Sequence, residues 1–240
     1  MFLCFNEYMK LSIIIPVYNE GKTIGEIIRQ VKAVKGFDKE IIVVNDGSTD
    51  ETSLVIKDIL RLRSGQVKDI KVINHKKNQG KGAAIRTGIA RATGDYLLVQ
   101  DADLEYDPQD ILTMLEPIRR GKAEVVYGSR FTGQRRNMFF WHWIGNQFLT
   151  LVTNVLYNTT LSDMETCYKL MPVKLAKSLN LQAKHFEFEP EVTAKILKKG
   201  IRIWEVPISY AGREYHEGKK ISWKDALPAL FTLIKYRFID

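Results

Sequence analysis

Short β-rich apolar runs alternate with helical patterns along the first half of the chain. The first run, Leu11–Pro16, is typical of a buried strand. Between Gly21 and about Val34 the apolar residues recur at helical spacing, which predicts an amphipathic helix. The alternation continues with strands at Glu40–Val44, Ile70–Ile73, Tyr96–Gln100 and Glu124–Tyr127, and with helices at Thr52–Leu62, from Gly80 to about Ala92, and from Pro108.

Strands and helices that alternate with short connections predict an α/β fold: right-handed crossovers and a mostly parallel sheet flanked by helices. Ligands of such sheets bind beyond the carboxyl ends of the strands. Acidic side chains follow three of the predicted strands at that end, at Glu20, Asp46, Asp101 and Asp103. We therefore expect these carboxylates to meet at one edge of the sheet and to form part of a binding site.

The second half of the chain is less regular. We expect an aromatic-rich helix over 139–157, a strand near Cys167–Met171, a helix near Glu189–Lys199, a strand at Ile201–Val206 and a last amphipathic helix from about Trp223 to Phe238. The chain contains no internal repeat and no linker rich in Gly, Pro or Ser. It divides into an N-terminal extension (1–9), one main domain (10–215) and a C-terminal amphipathic helix (216–240).

Composition narrows the class of protein. The 240 residues are 45% hydrophobic and 27% charged, which is a globular composition. The chain has 36 Lys and Arg against 28 Asp and Glu, a net charge of +8. This excess favours an anionic partner, such as a membrane face, a phosphorylated substrate or nucleic acid. No nucleic-acid-binding motif is recognisable, so we expect no nucleic-acid partner.

Targeting features of the sequence indicate a cytoplasmic protein. Met1–Tyr8 is too short for a signal peptide, and the most apolar stretch, Met138–Tyr157, is too polar for an easy membrane span. Cys4 and Cys167 cannot form a disulfide framework or a zinc site, which fits a reducing compartment.

The acidic segment Asp101-Ala102-Asp103 is the most informative chemical feature. Dinucleotide-binding and P-loop signatures are absent, since the first turn has a single glycine and Gly80-Lys81 is followed by Gly82. Two carboxylates after a strand, without Cys or His partners, suit a hard divalent cation such as Mg²⁺ or Mn²⁺. Such a cation would offset the charge of a diphosphate and stabilise it as a leaving group.

Five short segments of the chain form a recognisable series. They are Ile15–Glu20 (IPVYNE), Val44–Asp50 (VNDGSTD), Asn78–Gly82 (NQGKG), Asp101–Asp103 (DAD) and Gly128–Arg130 (GSR). In this order and spacing they resemble family-two glycosyltransferases, and more narrowly the dolichol-phosphate mannose and glucose synthase branch. The resemblance covers about residues 10–215. It implies a GT-A catalytic domain, a nucleotide-sugar donor, a divalent metal and inversion at the anomeric carbon.

The resemblance also implies which residues bind the donor. Pro16, Tyr18 and Glu20 would surround the base and ribose, and Asp46 would accept a hydrogen bond from the base. Lys81, at a helix N-terminus, and Arg213, in a loop with Lys219 and Lys220 that could close as a lid, are expected near the diphosphate. The donor nucleotide set is therefore Pro16, Tyr18, Glu20, Asp46, Lys81, Asp101 and Arg213, and the metal set is Asp101, Asp103 and Glu105.

The acceptor side is expected to be basic. In the resembled branch Arg130 faces the acceptor phosphate, and Arg135 and Arg136 add to that patch. If the acceptor is a sugar hydroxyl, Asp163 or Glu165 would be the general base. A phosphate is already an anion, so it needs no base, and Asp163 would then orient the active-site loop or the donor sugar. The candidate catalytic residues are Asp101, Asp103, Arg130 and Asp163.

Aromatic residues follow the basic loop directly, at Phe139–Trp143. Such residues beside basic side chains are typical of a helix at a membrane interface, and the last predicted helix supports the same interpretation. A buried helix or an oligomer contact would explain the same pattern. Glu189, in the first turn of a predicted helix, could bind the sugar or stabilise the helix start.

These observations favour transfer of a hexose from a nucleotide diphosphate sugar (GDP-mannose or UDP-glucose type) to a polyprenyl or dolichyl phosphate. The expected place is the cytoplasmic face of a membrane, with a membrane-protein partner or a second copy of the chain as further partners. One alternative is a family-two glycosyltransferase that acts on a sugar hydroxyl in polysaccharide or glycan synthesis. A more remote alternative, based on charge alone, is a non-enzymatic basic nucleic-acid-binding domain.

Overall fold

The computed structural model describes residues 9–61, 69–213 and 226–239. Its strands are β1 (Lys10–Val17), β2 (Asp38–Asn45), β3 (Ile70–Asn74), β4 (Tyr96–Val99), β5 (Val125–Ser129), β6 (Lys169–Pro172) and β7 (Ile203–Pro207). Its helices are α1 (Ile24–Ala33), α2 (Thr52–Arg61), α3 (Lys81–Arg91), α4 (Ile111–Arg119), α5 (Phe140–Tyr157), α6 (Val173–Ser178), α7 (Phe188–Lys198) and α8 (Ala226–Phe238). A short 3₁₀ turn, Pro108–Asp110, precedes α4.

The described strands form one sheet in the order β3-β2-β1-β4-β6-β5-β7. β1 pairs in parallel with β2 and β4, β2 with β3, and β5 with β7. Only β6, among these strands, runs antiparallel to both of its neighbours, β4 and β5. The predicted mostly parallel α/β sheet is therefore confirmed. The reversed strand could not be read from the sequence, because a short apolar run carries no sign of its direction.

The central strands are buried on both faces, which explains their unbroken apolar sequences. Ile13, Ile14 and Ile15 of β1 are fully buried, as are Ile42 and Val43 of β2. Helix α3 packs closely on β1, since a Cβ added at Gly88 would lie 2.4 Å from Cγ2 of Ile14. The sheet and its covering helices thus form a rigid frame for the loops at the strand ends.

The structure adjusts several predicted boundaries in the second half. The strand expected near Cys167–Met171 is Lys169–Pro172, and Pro172 leads directly into α6, a helix that the pattern did not predict. The strand expected at Ile201–Val206 is Ile203–Pro207. Residues 1–8, the lysines at 219 and 220, the expected helix start at 223 and the domain boundary at 215 lie outside the described residues, so the division into domains stays a prediction.

The sheet order brings the polar strand ends together. β2, β1 and β4 are neighbours, and all three run in the same direction. The segments after them, which begin at Asp46, Tyr18 and Gln100, therefore leave the same edge of the sheet. This is the edge at which the sequence predicts a binding site.

Candidate functional site

The acidic segment after β4 is compact and partly buried. The Asp103 carboxylate accepts a hydrogen bond from the Glu105 backbone N–H at 3.1 Å, and Leu104 between them has a left-handed backbone (φ 64°). Burial, together with the charges of Asp101 and Glu105, raises the pKa of Asp103 to about 7. The segment thus concentrates negative charge that a cation would relieve. Its hard carboxylate oxygens fit a divalent ion of the Mg²⁺ or Mn²⁺ type.

A lysine and an arginine of the chain lie among these acids. The Lys81 ammonium is 2.9 Å from Asp101 Oδ1. The Arg213 guanidinium is 3.2 Å from Glu20 Oε2, 3.3 Å from Asp103 Oδ2 and 3.6 Å from Glu105 Oε1. The structure therefore brings the predicted diphosphate and metal residues together. Within the described ranges, no three His, Cys, Asp or Glu side chains are arranged to hold a metal ion, and Arg213 lies where the three carboxylates converge.

Lys81 owes its position to the start of α3. Gly80, just before the helix, has a φ of 99°, and a Cβ there would lie 2.2 Å from the Lys184 carbonyl oxygen. Only glycine allows this close approach, which places the first turn of α3 against the loop before α7. Burial alone would lower the pKa of Lys81, but the charges of Asp101 and Glu189 raise it well above its ordinary value. The side chain is therefore a fixed cation.

Residues predicted to bind the base occupy different environments. Tyr18 is 36% exposed just after β1, whereas Pro16 is buried within that strand. The Asp46 carboxylate is buried and accepts hydrogen bonds from the backbone N–H groups of Gln79 and Gly80. It also lies 2.6 Å from Nδ1 of His75. Asp46 therefore ties the loop before α3 to β2, and its contact with a base stays a prediction.

Arg130 and Asp163 form a buried bidentate pair. The Arg130 Nε and Nη2 atoms donate to Asp163 at 2.7 and 2.8 Å, and the Arg130 backbone N–H donates to Oδ2 at 3.0 Å. Asp163 is fully buried, and Arg130 is 8% exposed. Asn146 of α5 accepts a further bond from Nη2 at 3.1 Å, and the Tyr210 ring lies 5.3 Å from the guanidinium. With both of its oxygens engaged, Asp163 is arranged to orient an arginine.

The other two predicted acceptor arginines are more exposed than Arg130. Arg135 and Arg136 are exposed and line a cleft of about 740 Å³ together with Arg29 and Gln134. Arg130 does not line this cleft. Arg135 Nη1 donates to the Phe131 carbonyl at 3.0 Å and to the Arg130 carbonyl at 3.4 Å. The Phe131 ring lies 5.2 Å from the Arg135 guanidinium and 5.8 Å from that of Arg130. Arg135 is therefore a neighbour of Arg130, but Arg130 is buried whereas Arg135 and Arg136 are exposed.

The sequence did not predict that Glu165, Lys169 and Glu189 would form one buried polar cluster. The Lys169 ammonium donates to the Met164 carbonyl at 2.9 Å and also to that of Thr166. Burial and the charge of Glu189 raise the pKa of Glu165 to about 7. Glu165 Oε1 and Glu189 Oε2 are buried without a hydrogen-bond partner among the described residues. In the sequence, the only sign of this cluster was that Lys169, Glu165 and Glu189 each stand next to an apolar residue.

Helices α5 and α8 expose apolar side chains at helical spacing. On α5 these are Phe140, Trp141, Ile144, Phe148, Leu151 and Val155, and on α8 they are Leu227, Phe231, Ile234 and Phe238. The two helices pack together, and the Tyr157 hydroxyl donates to the Leu233 carbonyl at 2.7 Å. α5 has no charged residue, and the charges of α8 are Lys235 and Arg237. We call these exposed residues the apolar face.

The helices of the described ranges include none with the length and apolarity needed to cross a membrane.

Comparisons with known proteins give consistent results. Residues 12–179 match the family model described as Glycosyl transferase family 2. The UDP-N-acetylglucosamine–dolichyl-phosphate N-acetylglucosaminyltransferase of Methanococcus voltae is 31% identical over 220 residues, which are 85% of this chain and 87% of that protein. The dodecaprenyl-phosphate galacturonate synthase of Rhizobium johnstonii is 27% identical over 218 residues, which are 88% of this chain and 62% of that protein.

A solved structure is similar over nearly the whole chain. It is glucosyl-3-phosphoglycerate synthase from Mycobacterium tuberculosis in complex with Mn²⁺, uridine diphosphate and glucosyl-3-phosphoglycerate. The TM-score is 0.69 at 19% identity, over 97% of this chain and 81% of that chain. At this level of identity the likeness establishes the fold alone.

Proposed function

Because the chain belongs to glycosyltransferase family 2 and has the GT-A fold, we propose that it moves a hexose from a nucleotide diphosphate sugar to a polyprenyl phosphate, with inversion at the anomeric carbon. Relatives named for dolichyl and dodecaprenyl phosphate support this acceptor class. The observation that carries the proposal is the placement of Arg130. This buried arginine is bound to Asn146 of α5, the helix whose other side forms part of the apolar face.

The donor end of the site lies at the edge of β2, β1 and β4. Tyr18 and Glu20 would lie beside the base and ribose, and Lys81 and Arg213 would face the diphosphate. Asp101, Asp103 and Glu105 would hold a Mg²⁺ or Mn²⁺ ion, which when bound would offset the charge of the diphosphate. The complex of a structural neighbour with Mn²⁺ and uridine diphosphate supports this choice of ion.

The transfer step follows from the charges of the two substrates. A phosphate oxygen of the lipid attacks the anomeric carbon from the side opposite the nucleotide. The new carbon–oxygen bond forms as the bond between the anomeric carbon and the diphosphate breaks. The electron pair of the broken bond leaves with the diphosphate. No general base is needed, because the attacking phosphate is an anion at neutral pH. Asp163 holds Arg130 through Nε and Nη2, so Arg130 would orient that phosphate through Nη1.

The apolar face would bring the enzyme to its lipid acceptor. Aromatic and aliphatic side chains exposed on one side of a helix enter the boundary between headgroups and acyl chains, and basic residues attract anionic lipid. Lys235 and Arg237 of α8 supply such charges, with no acid on either helix. A bilayer contact along α5 would bring the lipid phosphate close to Arg130, on the other side of the same helix.

A transfer assay tests the proposal. Purified protein is incubated with Mn²⁺ or Mg²⁺, a short polyprenyl phosphate in detergent, and a panel of UDP- and GDP-sugars. We expect a glycolipid product with one of these donors and none with Asp103→Asn. Asp58→Asn is the matched control, since Asp58 is exposed on α2 and is not part of the proposed site.

Two results would contradict the proposal. Metal-dependent nucleotide binding without any lipid product would agree with the GT-A fold but would favour a sugar hydroxyl as the acceptor. If the protein binds neither UDP nor GDP nor their sugars, it has no donor site.

A further inference from the structure

Glu189 is a buried carboxylate with an incomplete set of partners. It lies in the first turn of α7 and is 4% exposed. Oε1 is 3.4 Å from the Lys81 ammonium, whereas Oε2 has no hydrogen-bond partner in the part of the chain that the structure describes. A buried carboxylate oxygen without a donor destabilises a fold. Stability therefore does not explain a glutamate at this position.

Glu191, on the same helix, provides the contrast. It is also buried, but its carboxylate accepts hydrogen bonds from the backbone N–H groups of Gln182 and Ala183. Lys195, one turn further along α7, pairs with it at 2.6 Å. Glu191 therefore fastens the loop before α7 to the helix, which is a structural role. Within the described ranges, no backbone N–H donates to Oε2 of Glu189.

Glu189 contacts a residue of the donor site instead. Lys81 lies between Asp101 Oδ1 at 2.9 Å and Glu189 Oε1 at 3.4 Å. The Phe186 ring, 6.0 Å from the ammonium, lies on the same loop as the start of α7. A lysine ammonium sits on a flexible stem, so two carboxylates from different elements define its position far better than one does.

We propose that Glu189 is a positioning residue for Lys81. Its carboxylate holds the ammonium at the start of α3, where the free N–H groups of the helix also favour an anion, so that Lys81 faces the diphosphate of the donor. Asp101 belongs to the acidic cluster and engages the donor complex. Glu189 is then the anchor that remains on Lys81. This inference rests on the proposed donor site and adds a residue that does not touch the donor.

A double-mutant cycle tests the coupling. The variants are Glu189→Gln, Lys81→Met and the two combined, and the measurement is the dissociation constant for UDP and for GDP with Mn²⁺ by calorimetry. We expect each single change to weaken nucleoside diphosphate binding about tenfold, with the double variant no weaker than Lys81→Met, because no ammonium is left to position. Glu189→Asp keeps the charge and should recover part of the loss.

Several results would overturn the inference. Multiplying effects in the double variant would show that Glu189 acts independently of Lys81. A loss seen only with nucleotide sugars, and not with UDP or GDP, would place Glu189 on the sugar. Urea unfolding supplies the structural control: Glu191→Gln should lower stability and Glu189→Gln should not, so an equal loss would make Glu189 structural.

Failure of the proposed donor site can be told apart from failure of the proposed role of Glu189. A wild-type chain that binds neither UDP nor GDP overturns the donor site and this inference together. A wild-type chain that binds, with variants whose effects multiply, overturns only the role of Glu189.

Discussion

At the scale of single residues, the Arg130–Asp163 pair illustrates how this site uses burial. Removing two charges from water is unfavourable, and a buried ion pair is weak evidence for stability. Here the pair has a bidentate geometry and an extra backbone bond to Asp163. Its permanent positive charge lies beside α5, which is why we connect it with an anionic acceptor rather than with folding alone.

Replacing Asp163 distinguishes an orienting role from a base. In Asp163→Asn the guanidinium stays buried without its counter-charge, so the free energy of unfolding should fall by about 3 kcal/mol in urea titrations, with transfer lost in parallel. The combined Arg130→Gln and Asp163→Asn variant removes both charges and should regain part of that stability but no activity. Complete loss of transfer at unchanged stability would instead support a general base and a hydroxyl acceptor.

Glu165 predicts a pH dependence of stability. Burial and the charge of Glu189 raise its pKa from 4.5 to about 7. Between these values the folded protein keeps a proton that the unfolded chain has lost, so rising pH favours unfolding. The charged groups that face it are Glu189, Asp163, Lys169 and Arg130.

The test is the free energy of unfolding from about pH 5 to about pH 7, where Glu165 should contribute a fall of at most about 1.4 kcal/mol per pH unit. Glu165→Gln cannot titrate and should give a shallower slope. Asp103, whose pKa is raised in the same direction, contributes equally to both proteins. Identical slopes would show that Glu165 does not hold this proton.

At the scale of elements, two helix glycines differ in their surroundings. In α3, a Cβ at Gly88 would lie 2.4 Å from the Ile14 side chain, whereas a Cβ at Gly145 of α5 would have no neighbour within 4 Å. Gly88→Ala should therefore destabilise the protein by about 1–3 kcal/mol through overpacking. Gly145→Ala should stabilise it by about 0.5–1 kcal/mol through helix propensity. Urea unfolding measures both, and equal effects would contradict the close packing of α3 on β1.

The apolar face belongs to this scale too, because it requires two helices. Phe148→Gln with Phe231→Gln should lower partition into anionic vesicles about fivefold, since interfacial binding scales with the apolar area inserted. Both side chains are more than half exposed, so stability should change by less than about 0.5 kcal/mol. Leu54→Gln on α2, with similar exposure, is the control and should leave partition unchanged.

Vesicle sedimentation measures this partition, and the oligomeric state in solution is determined alongside it. A dimer that dissociates in the double variant, without any change in vesicle binding, would show that a second copy of the chain covers the face.

At the scale of the whole molecule, Arg213 joins distant parts of the chain. It follows β7, yet its guanidinium contacts Glu20 after β1 and Asp103 after β4. In this arrangement a side chain of the protein balances the charge of the acidic cluster. A divalent cation that binds the same carboxylates has to compete with it.

Arg213→Ala should therefore have opposite effects on two ligands. Mn²⁺ alone should bind about fivefold more tightly, because no guanidinium competes for the carboxylates, whereas Mn²⁺ with UDP should bind more weakly, because the diphosphate loses a cation. Calorimetry measures both. Arg120→Ala, an exposed arginine paired with Glu116 on α4, serves as the control. Unchanged affinity for Mn²⁺ alone would contradict the competition.

The sequence by itself determined the α/β class, the place of the acids at the strand ends and the family. Each follows from local pattern: apolar runs such as Ile13–Ile15 must be buried, and parallel strands bring their carboxyl ends to one edge. The residue types of Asp101-Ala102-Asp103 already supply hard carboxylate oxygens, although the raised pKa of Asp103 comes from its burial.

The tertiary structure alone decided which side chains meet. Asp163 with Arg130, Glu189 with Lys81 and Arg213 with Glu20 are pairs far apart in sequence, and no local pattern encodes them. It also decided that Arg130 is buried while Arg135, which donates to the Arg130 carbonyl, is exposed. Burial depends on all the elements packed around a residue, so partners and exposure become defined only when the sheet and its helices are assembled.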